Sequence, residues 1–288
     1  MQYHTPTSFE DAIEIAAQAD GITRFLAGGT DVLVQLRADI VTPDTLIDIK
    51  GISGTKTITH NDDGSWRIGV AVSGAEMTEH PTLARDWPGV VEATDLIGST
   101  QVQGRCTMVG NLCNGSPAAD AVPAMVAAGM TVTVSGPDGT RELAVEDVPT
   151  GPGKTCLAKG ELISAVNIPA RGANGGDAYL RFIPRTEMDI AVVGAAVNLR
   201  LEGDTITEAR VSLGAVAPTV LLVPQAADAI IGTTLDDAAL TALAQAANAA
   251  CAPIDDKRGT IKFRTHVAGV LAQRAARIAY ERAQKAGK

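Results

Sequence analysis

Two stretches of this chain carry the groups that could do chemistry: "LAGGTDVLVQLR", Leu26 to Arg37, and "TMVGNLCNGSPAAD", Thr107 to Asp120. In the first, Gly28 and Gly29 follow the apolar run "TRFLA" and precede Val32, Leu33, Leu36 and Ile40, which recur at helical spacing. The glycines therefore mark a strand-to-helix corner. One reading is a tight turn with a small-residue contact. The other is an anion site, in which the missing side chains let a phosphate reach backbone N–H groups at a helix start. The pattern is neither G-x-G-x-x-G nor a Walker loop.

The second stretch lies between a helix expected to end near Ile97 and one expected to begin near Ala118. Residues 98–117 show neither the period of a strand nor that of a helix, and a structureless segment of that length inside a compact domain is usually functional. It is rich in small and hydrogen-bonding groups: Gly98, Ser99, Thr107, Gly110, Asn111, Asn114, Gly115 and Ser116. Asn amides suit phosphate or ribose, and Asp120 either accepts from hydroxyls or complements the dipole of the next helix.

The elements that must position these groups belong to an ordinary globular chain: 288 residues, 45% hydrophobic and 20% charged, long enough for two or three packed units. The longest apolar runs fall short of a membrane span, and the start has no basic region followed by an apolar one, so a cytoplasmic protein is expected. A formal charge of -9 argues against nucleic acid as the main partner. Residues 256–288 nevertheless hold nine Lys or Arg against two acids, either a solvated basic helix or a docking face for a partner. Cys106, Cys113, Cys156 and Cys251 form no C-x-x-C pair and the four His are scattered, so a disulfide framework, an iron–sulfur cluster or a zinc site within this chain is not expected.

Along the chain, "TSFEDAIEIAAQAD" reads as a helix capped by Thr7 or Ser8, followed by the glycine corner and the strand "TLIDIKGI". Residues 1 to about 52 thus make a small α/β unit, and a second begins near Ile58 with "WRIGVAVSGAEM" read as a strand. Beyond the linker "ARGANGGDA" come two strands, "DIAVVGAAVNLRL" and "TITEARVSLGAVAP", then the helices "LDDAALTALAQAANAA" and "THVAGVLAQRAARIAYERAQ". Strands first and helices after fit an antiparallel sheet with helices on one face.

The two motifs, continued by "GELISAVNIP" and "YLRFIPRTEMDIAVVGAAVNL", closely resemble the FAD-binding medium subunit of the molybdenum hydroxylases, the group containing xanthine dehydrogenase and carbon monoxide dehydrogenase. The resemblance covers essentially the whole chain. It implies an α+β fold in which two N-terminal α/β subdomains, about 1–52 and 53–171, clasp FAD in a PCMH-type FAD-binding fold. A C-terminal domain, 172–288, would hold the antiparallel sheet with helices on one face.

By the same resemblance Ala27, Gly28, Gly29, Thr30 and Asp31 form one wall of the pyrophosphate site, the glycines leaving room for phosphate. Thr107, Gly110, Asn111, Ser116 and Asp120 line the other side, with Asn114, Gly115 and Ile97 close by. Leu162 or Ile163 lies near the adenine or the ring, Arg181 near the flavin, and Tyr179 over one face of the isoalloxazine. Relatives commonly carry T-I-G-G-N where this chain has "TMVGN". Val109 is therefore expected in extended backbone with its side chain in the core, since a β-branched residue is poor at positive φ.

The implied role is electron transfer. Substrate would be oxidised on a large molybdenum-cofactor subunit, electrons would cross two [2Fe-2S] clusters on a small iron–sulfur subunit, and FAD here would pass them to NAD, a quinone or oxygen, in a dimer of heterotrimers. Two rivals remain at this stage. One is a self-contained FAD-dependent oxidase or reductase with its own organic substrate. The other is a protein that binds a nucleotide without redox activity.

Overall fold

The computed structural model describes residues 1–186 and 188–287, so Glu187 and Lys288 of the C-terminal span lie outside the described residues. The first unit comprises β1 (Gln2–His4), α1 (Phe9–Gln18), β2 (Thr23–Leu26), α2 (Val32–Arg37) and β3 (Thr45–Asp48). Its strands form a parallel sheet in the order β1-β3-β2. Ser8 caps α1, accepting from the Asp11 N–H, with Glu10 and Asp11 in the first turn. Ala12 and Ala16, four apart, turn to the core on one helix face.

The second unit runs through β4 (Ile58–His60), β5 (Trp66–Gly69), α3 (Gly74–Glu79), α4 (Pro81–Asp86), α5 (Pro88–Asp95), α6 (Thr100–Gln103), α7 (Met108–Cys113), α8 (Ala121–Ala127), β6 (Thr131–Gly136), β7 (Gly139–Ala144), β8 (Pro149–Gly151), β9 (Lys154–Thr155) and β10 (Leu162–Ile168). Its main sheet is antiparallel, in the order β4-β5-β10-β6-β7. Two expectations fail here. "WRIGVAVSGAEM" is a strand only to Gly69, because Ser73 and Glu76 form a capping box that starts α3. Residues 98–117 are not structureless but contain α6 and α7, helices too short to leave a periodic signal.

The capping box also serves the loop that follows, since Ser73 forms an isolated bridge with Thr107. The Ser73 Oγ accepts from the Glu76 N–H at 3.3 Å, and the Glu76 carboxylate accepts from the Ser73 N–H at 2.8 Å. Ser73→Ala is expected to cost about 1 kcal/mol, read as a lower denaturant midpoint at unchanged slope. A midpoint equal to that of the unsubstituted protein would show the cap to be redundant.

The third part holds β11 (Gly175–Phe182), β12 (Val193–Glu202), β13 (Thr205–Gly214), β14 (Leu221–Leu222), α9 (Pro224–Asp228), α10 (Asp237–Ala250) and α11 (Ile261–Ala286). The strands are antiparallel in chain order. Alternation along them decides the packing: Ala178, Ala195, Val197 and Leu213 enter one core with α10 and α11, while Tyr179 and Ala196 enter the other with the second unit. The sheet is thus covered on one face by its own helices and on the other by the N-terminal part, with α8 against β12 and β13.

The "ARGANGGDA" stretch is a shorter linker than expected, because its second half is already β11. Gly176 is glycine for the helix that lies on it: a Cβ there would stand 2.1 Å from the Ala279 carbonyl oxygen. α11 starts one turn before its expected apolar pattern, capped by Thr260. Two of its basic residues belong to the fold and not to a free basic face. Arg264, 4% exposed, donates to the Val192 and Ala215 carbonyls and to Asp256. Arg282 reaches Glu92 and the Asp177 carbonyl. No helix among the described residues is long and apolar enough to cross a membrane.

Candidate functional site

The two motifs meet through backbone, and Gly28 is the point of contact. A Cβ on Gly28 would stand 1.8 Å from the Arg105 carbonyl oxygen, so the space in its side-chain direction is filled by the segment leading to Thr107. Gly29 is required for a different reason, its φ of +83°, which L side chains rarely adopt. The corner thus turns sharply while lying flat on residues 105–106. Farther along, the Gln35 amide donates to the Asn114 side-chain oxygen at 3.4 Å, tying α2 to the end of α7.

This close approach leaves donors free. Among the described residues, the backbone N–H groups of Gly28, Gly29, Thr30 and Asp31 have no acceptor. Four consecutive unpaired donors in a turn are a cradle for an anion with several oxygens. The donor set fits the pyrophosphate of a dinucleotide. α2 itself has six residues, none of them buried, so the turn and not a long helix dipole supplies the attraction.

On the facing wall several expected ligands act first on the backbone. Thr107 caps α7, its hydroxyl accepting from the Gly110 N–H at 2.9 Å. The Asn111 side-chain oxygen accepts from the Ala121 N–H at 3.0 Å and so begins α8. Ser116 accepts from the Ala118 N–H, and the Gly115 carbonyl accepts from the Gly153 N–H. Asn and Thr retain further bonding capacity, so these caps hold the wall in shape without exhausting it. Val109 is helical, not extended as expected, and has no positive φ; its side chain is 3% exposed in the core.

Asp120, Tyr179 and Arg181 are brought together although the last two come from β11. Arg181 Nη1 lies 2.6 Å from Asp120 Oδ2, and the Tyr179 hydroxyl donates to Asp120 Oδ1 at 3.1 Å. Arg181 also donates to the Leu96 carbonyl at 2.9 Å, fixing the residue before Ile97. Burial pushes the Asp120 carboxyl up to about 6, with Arg181 and the Tyr179 hydroxyl opposing it. Burial and the neighbouring carboxylate likewise raise the Tyr179 phenol well above its ordinary value. Asp120 is the buried hub of a three-residue network that orients its carboxylate, each oxygen of which keeps capacity for a further donor.

That burial corrects one expectation. Tyr179 is 3% exposed and packs over Gly194, so it has no open face to lay against a flavin ring; its hydroxyl supports Asp120 instead. Leu162 and Ile163, 3% and 2% exposed in β10, belong to the core behind the site. Sequence reasoning missed Gln103, whose buried amide donates to the Asp95 and Ile97 carbonyls and holds the Ile97 bend, each at 2.7 Å. Its signal was weak: a single Gln in a polar stretch. Cys106, 1% exposed beside it, has a thiol pushed up to about 11 by burial and is inert.

Comparison with known proteins decides between the readings left open by the sequence. Residues 1–171 match the FAD binding domain in molybdopterin dehydrogenase, and residues 178–279 match the CO dehydrogenase flavoprotein C-terminal domain. The chain belongs to the FAD-binding medium subunits of the molybdenum hydroxylases. This medium subunit is 32% identical to the carbon monoxide dehydrogenase medium chain of Afipia carboxidovorans over 99% of its own length and 98% of the relative's. It is 30% identical to the xanthine dehydrogenase FAD-binding subunit of Escherichia coli O157:H7, over 92% and 91%. Among solved structures it superposes on the reconstituted CO dehydrogenase from Oligotropha carboxidovorans with a TM-score of 0.94 at 32% identity, covering 98% of both chains. The medium subunit is thus an oxidoreductase component of a multi-subunit enzyme.

Proposed function

We propose that this chain is the electron outlet of its complex, receiving electrons from [2Fe-2S] clusters on a small partner subunit and passing them to NAD, a quinone or oxygen, while a large molybdenum-cofactor subunit oxidises the substrate. The complex would be a dimer of heterotrimers in the cytoplasm. FAD supplies the chemistry such a junction needs, because a flavin collects electrons singly and delivers them in pairs. The chain supplies binding and orientation. Gly28 to Asp31 would donate backbone N–H groups to the pyrophosphate, with Ala27 beside them. Thr107, Gly110, Asn111, Asn114 and Ser116 would form the opposite wall. Ile97 would lie by the ring on a bend held by Gln103 and Arg181, and Asp120 would meet the cofactor with its carboxyl oriented by Arg181 and Tyr179. We take residues 1–171 as the FAD-binding domain and 172–288 as the C-terminal domain, a division supported by the family matches over 1–171 and 178–279.

The observation that carries this reading is the row of four unpaired donors pressed against the second motif by the Gly28–Arg105 contact. An anaerobic test separates it from a self-contained flavoenzyme. The FAD-loaded chain, reduced with dithionite, is expected to reoxidise with the acceptor. Xanthine, aldehydes and carbon monoxide should leave the isolated chain oxidised, and adding the iron–sulfur and molybdenum partners should restore bleaching. Reduction of the isolated chain by an organic substrate at catalytic rates would overturn the relay.

A further inference from the structure

We propose that the seam between the two domains is a second anion site, built for the phosphoryl group of a small molecule. A cleft of about 280 Å³ opens there between the head of α5, the linker and the strands β12 and β13, lined by Trp87, Arg171, Arg200 and Arg210. It shares no residue with the flavin site described above. The arginines lie against glycines: a Cβ on Gly172 would stand 3.1 Å from Arg200 Cδ, one on Gly175 2.8 Å from Arg171 Cγ, and one on Gly129 3.6 Å from Arg210 Nε. A side chain at Gly175 would displace the Arg171 stem and one at Gly172 would crowd Arg200, whereas at Gly129 the contact with Arg210 would be an ordinary one.

Three buried donors at this wall have no hydrogen-bond acceptor among the described residues. The Arg171 guanidinium lies over the Trp87 ring, 3.8 Å from its centroid. Trp87 is 2% exposed, yet among the described residues its Nε1–H has no acceptor, and Arg171 Nε likewise has none. Arg171 Nη2 stands 2.9 Å from Asp177 Oδ1, a charge contact in which neither atom makes a hydrogen bond. An unpaired buried donor is costly; these atoms are enclosed behind the cleft wall, and a turn of the Arg171 guanidinium, whose side chain is 15% exposed, would bring its donors to an oxyanion oxygen in the cleft.

The charge balance favours exchange at one position. Arg210 is engaged by Glu146 at 2.9 Å and by the Val126 carbonyl. Among the described residues Arg200 is paired with Glu208, whose side chain is 65% exposed while that of Arg200 is 44% exposed. A solvated pair of that kind contributes little, so an incoming dianion displaces Glu208 at small cost and takes the guanidinium fork. The volume lies just below the roughly 300–1,000 Å³ of drug-sized pockets, which suits a phosphoryl group on a short carbon skeleton. Contacts come from both sides of the seam, so a bound anion would pin the two domains and stabilise the chain by mass action.

The test is calorimetric titration of inorganic phosphate into the FAD-loaded protein, with ionic strength held constant by chloride, so that the flavin's own cradle is already filled. One phosphate per chain is expected, with a change in tryptophan emission and a higher melting temperature. Arg200→Gln, at an exposed position, should weaken binding at least tenfold with FAD content and the phosphate-free melting temperature unchanged. Trp87→Phe, which keeps the ring and removes the N–H, should weaken binding and abolish the emission change. The proposal is overturned by the absence of saturable binding at millimolar phosphate, or by binding that Arg200→Gln leaves intact.

Discussion

Gly28→Ala is expected to lower FAD affinity about a hundredfold, equivalent to about 2.8 kcal/mol. The added methyl would have to occupy a point 1.8 Å from the Arg105 carbonyl oxygen and 3.3 Å from the Cys106 Cα. Both neighbours are backbone, so no side chain can swing aside, and the corner must lift off the second motif. The four free donors would then no longer face Thr107 to Ser116. Overpacking of this kind also costs about 1–3 kcal/mol of stability. Gly104→Ala is the control, because a Cβ there meets nothing within 4 Å and the residue has ordinary helical backbone, φ of -70°. Fluorescence titration of deflavinated protein with FAD, alongside thermal melts, reads both effects. Equal affinities for the two variants would mean that the corner does not bind the cofactor.

Arg181→Gln is expected to destabilise the deflavinated protein by about 3 kcal/mol at pH 8, since it leaves the Asp120 carboxylate buried without its cation. The pH dependence gives this prediction its signature. In the unsubstituted chain the Asp120 carboxyl sits at about 6, above its ordinary value of 3.8, so the folded state binds the proton more tightly than the unfolded one. Its contribution is therefore complete below about pH 4 and is lost as the pH rises through about 6, a difference of about 3 kcal/mol. Without Arg181 the carboxyl moves higher still, so the loss should begin at the same pH, continue to higher pH and become larger. The double variant Asp120→Asn with Arg181→Gln buries no charge and should recover most of the stability. Urea midpoints across pH 4 to 9 for the unsubstituted, single and double variants form the cycle. A strictly additive double variant would show that Asp120 and Arg181 do not act as a pair.

Much of this protein was legible from local signals. Ser8 and its acidic first turn start α1, the glycine corner lies between β2 and α2, and the stretches "DIAVVGAAVNLRL" and "TITEARVSLGAVAP" contain β12 and β13, whereas β11 was not read. The two motifs, read as one family's signature, pointed to FAD and to a partner-dependent enzyme. These features depend on neighbours a few residues apart, and periodicity, capping and motif spacing record such neighbours directly.

What only the tertiary structure decided is which atoms those residues spend on each other. Nothing near Gly28 in the sequence says that the space of its missing side chain is filled by the Arg105 carbonyl, 77 positions away. Nor does Asp120 reveal that Tyr179 and Arg181, brought over from β11, already hold both of its oxygens. The Tyr179 ring was expected to be open to the flavin and is buried, because the C-terminal sheet places alternate side chains in two different cores. Residue type fixes what a group is able to bond. Whether a ligand or the protein itself fills that capacity depends on close packing between segments distant in the chain, and that packing exists only in the assembled fold.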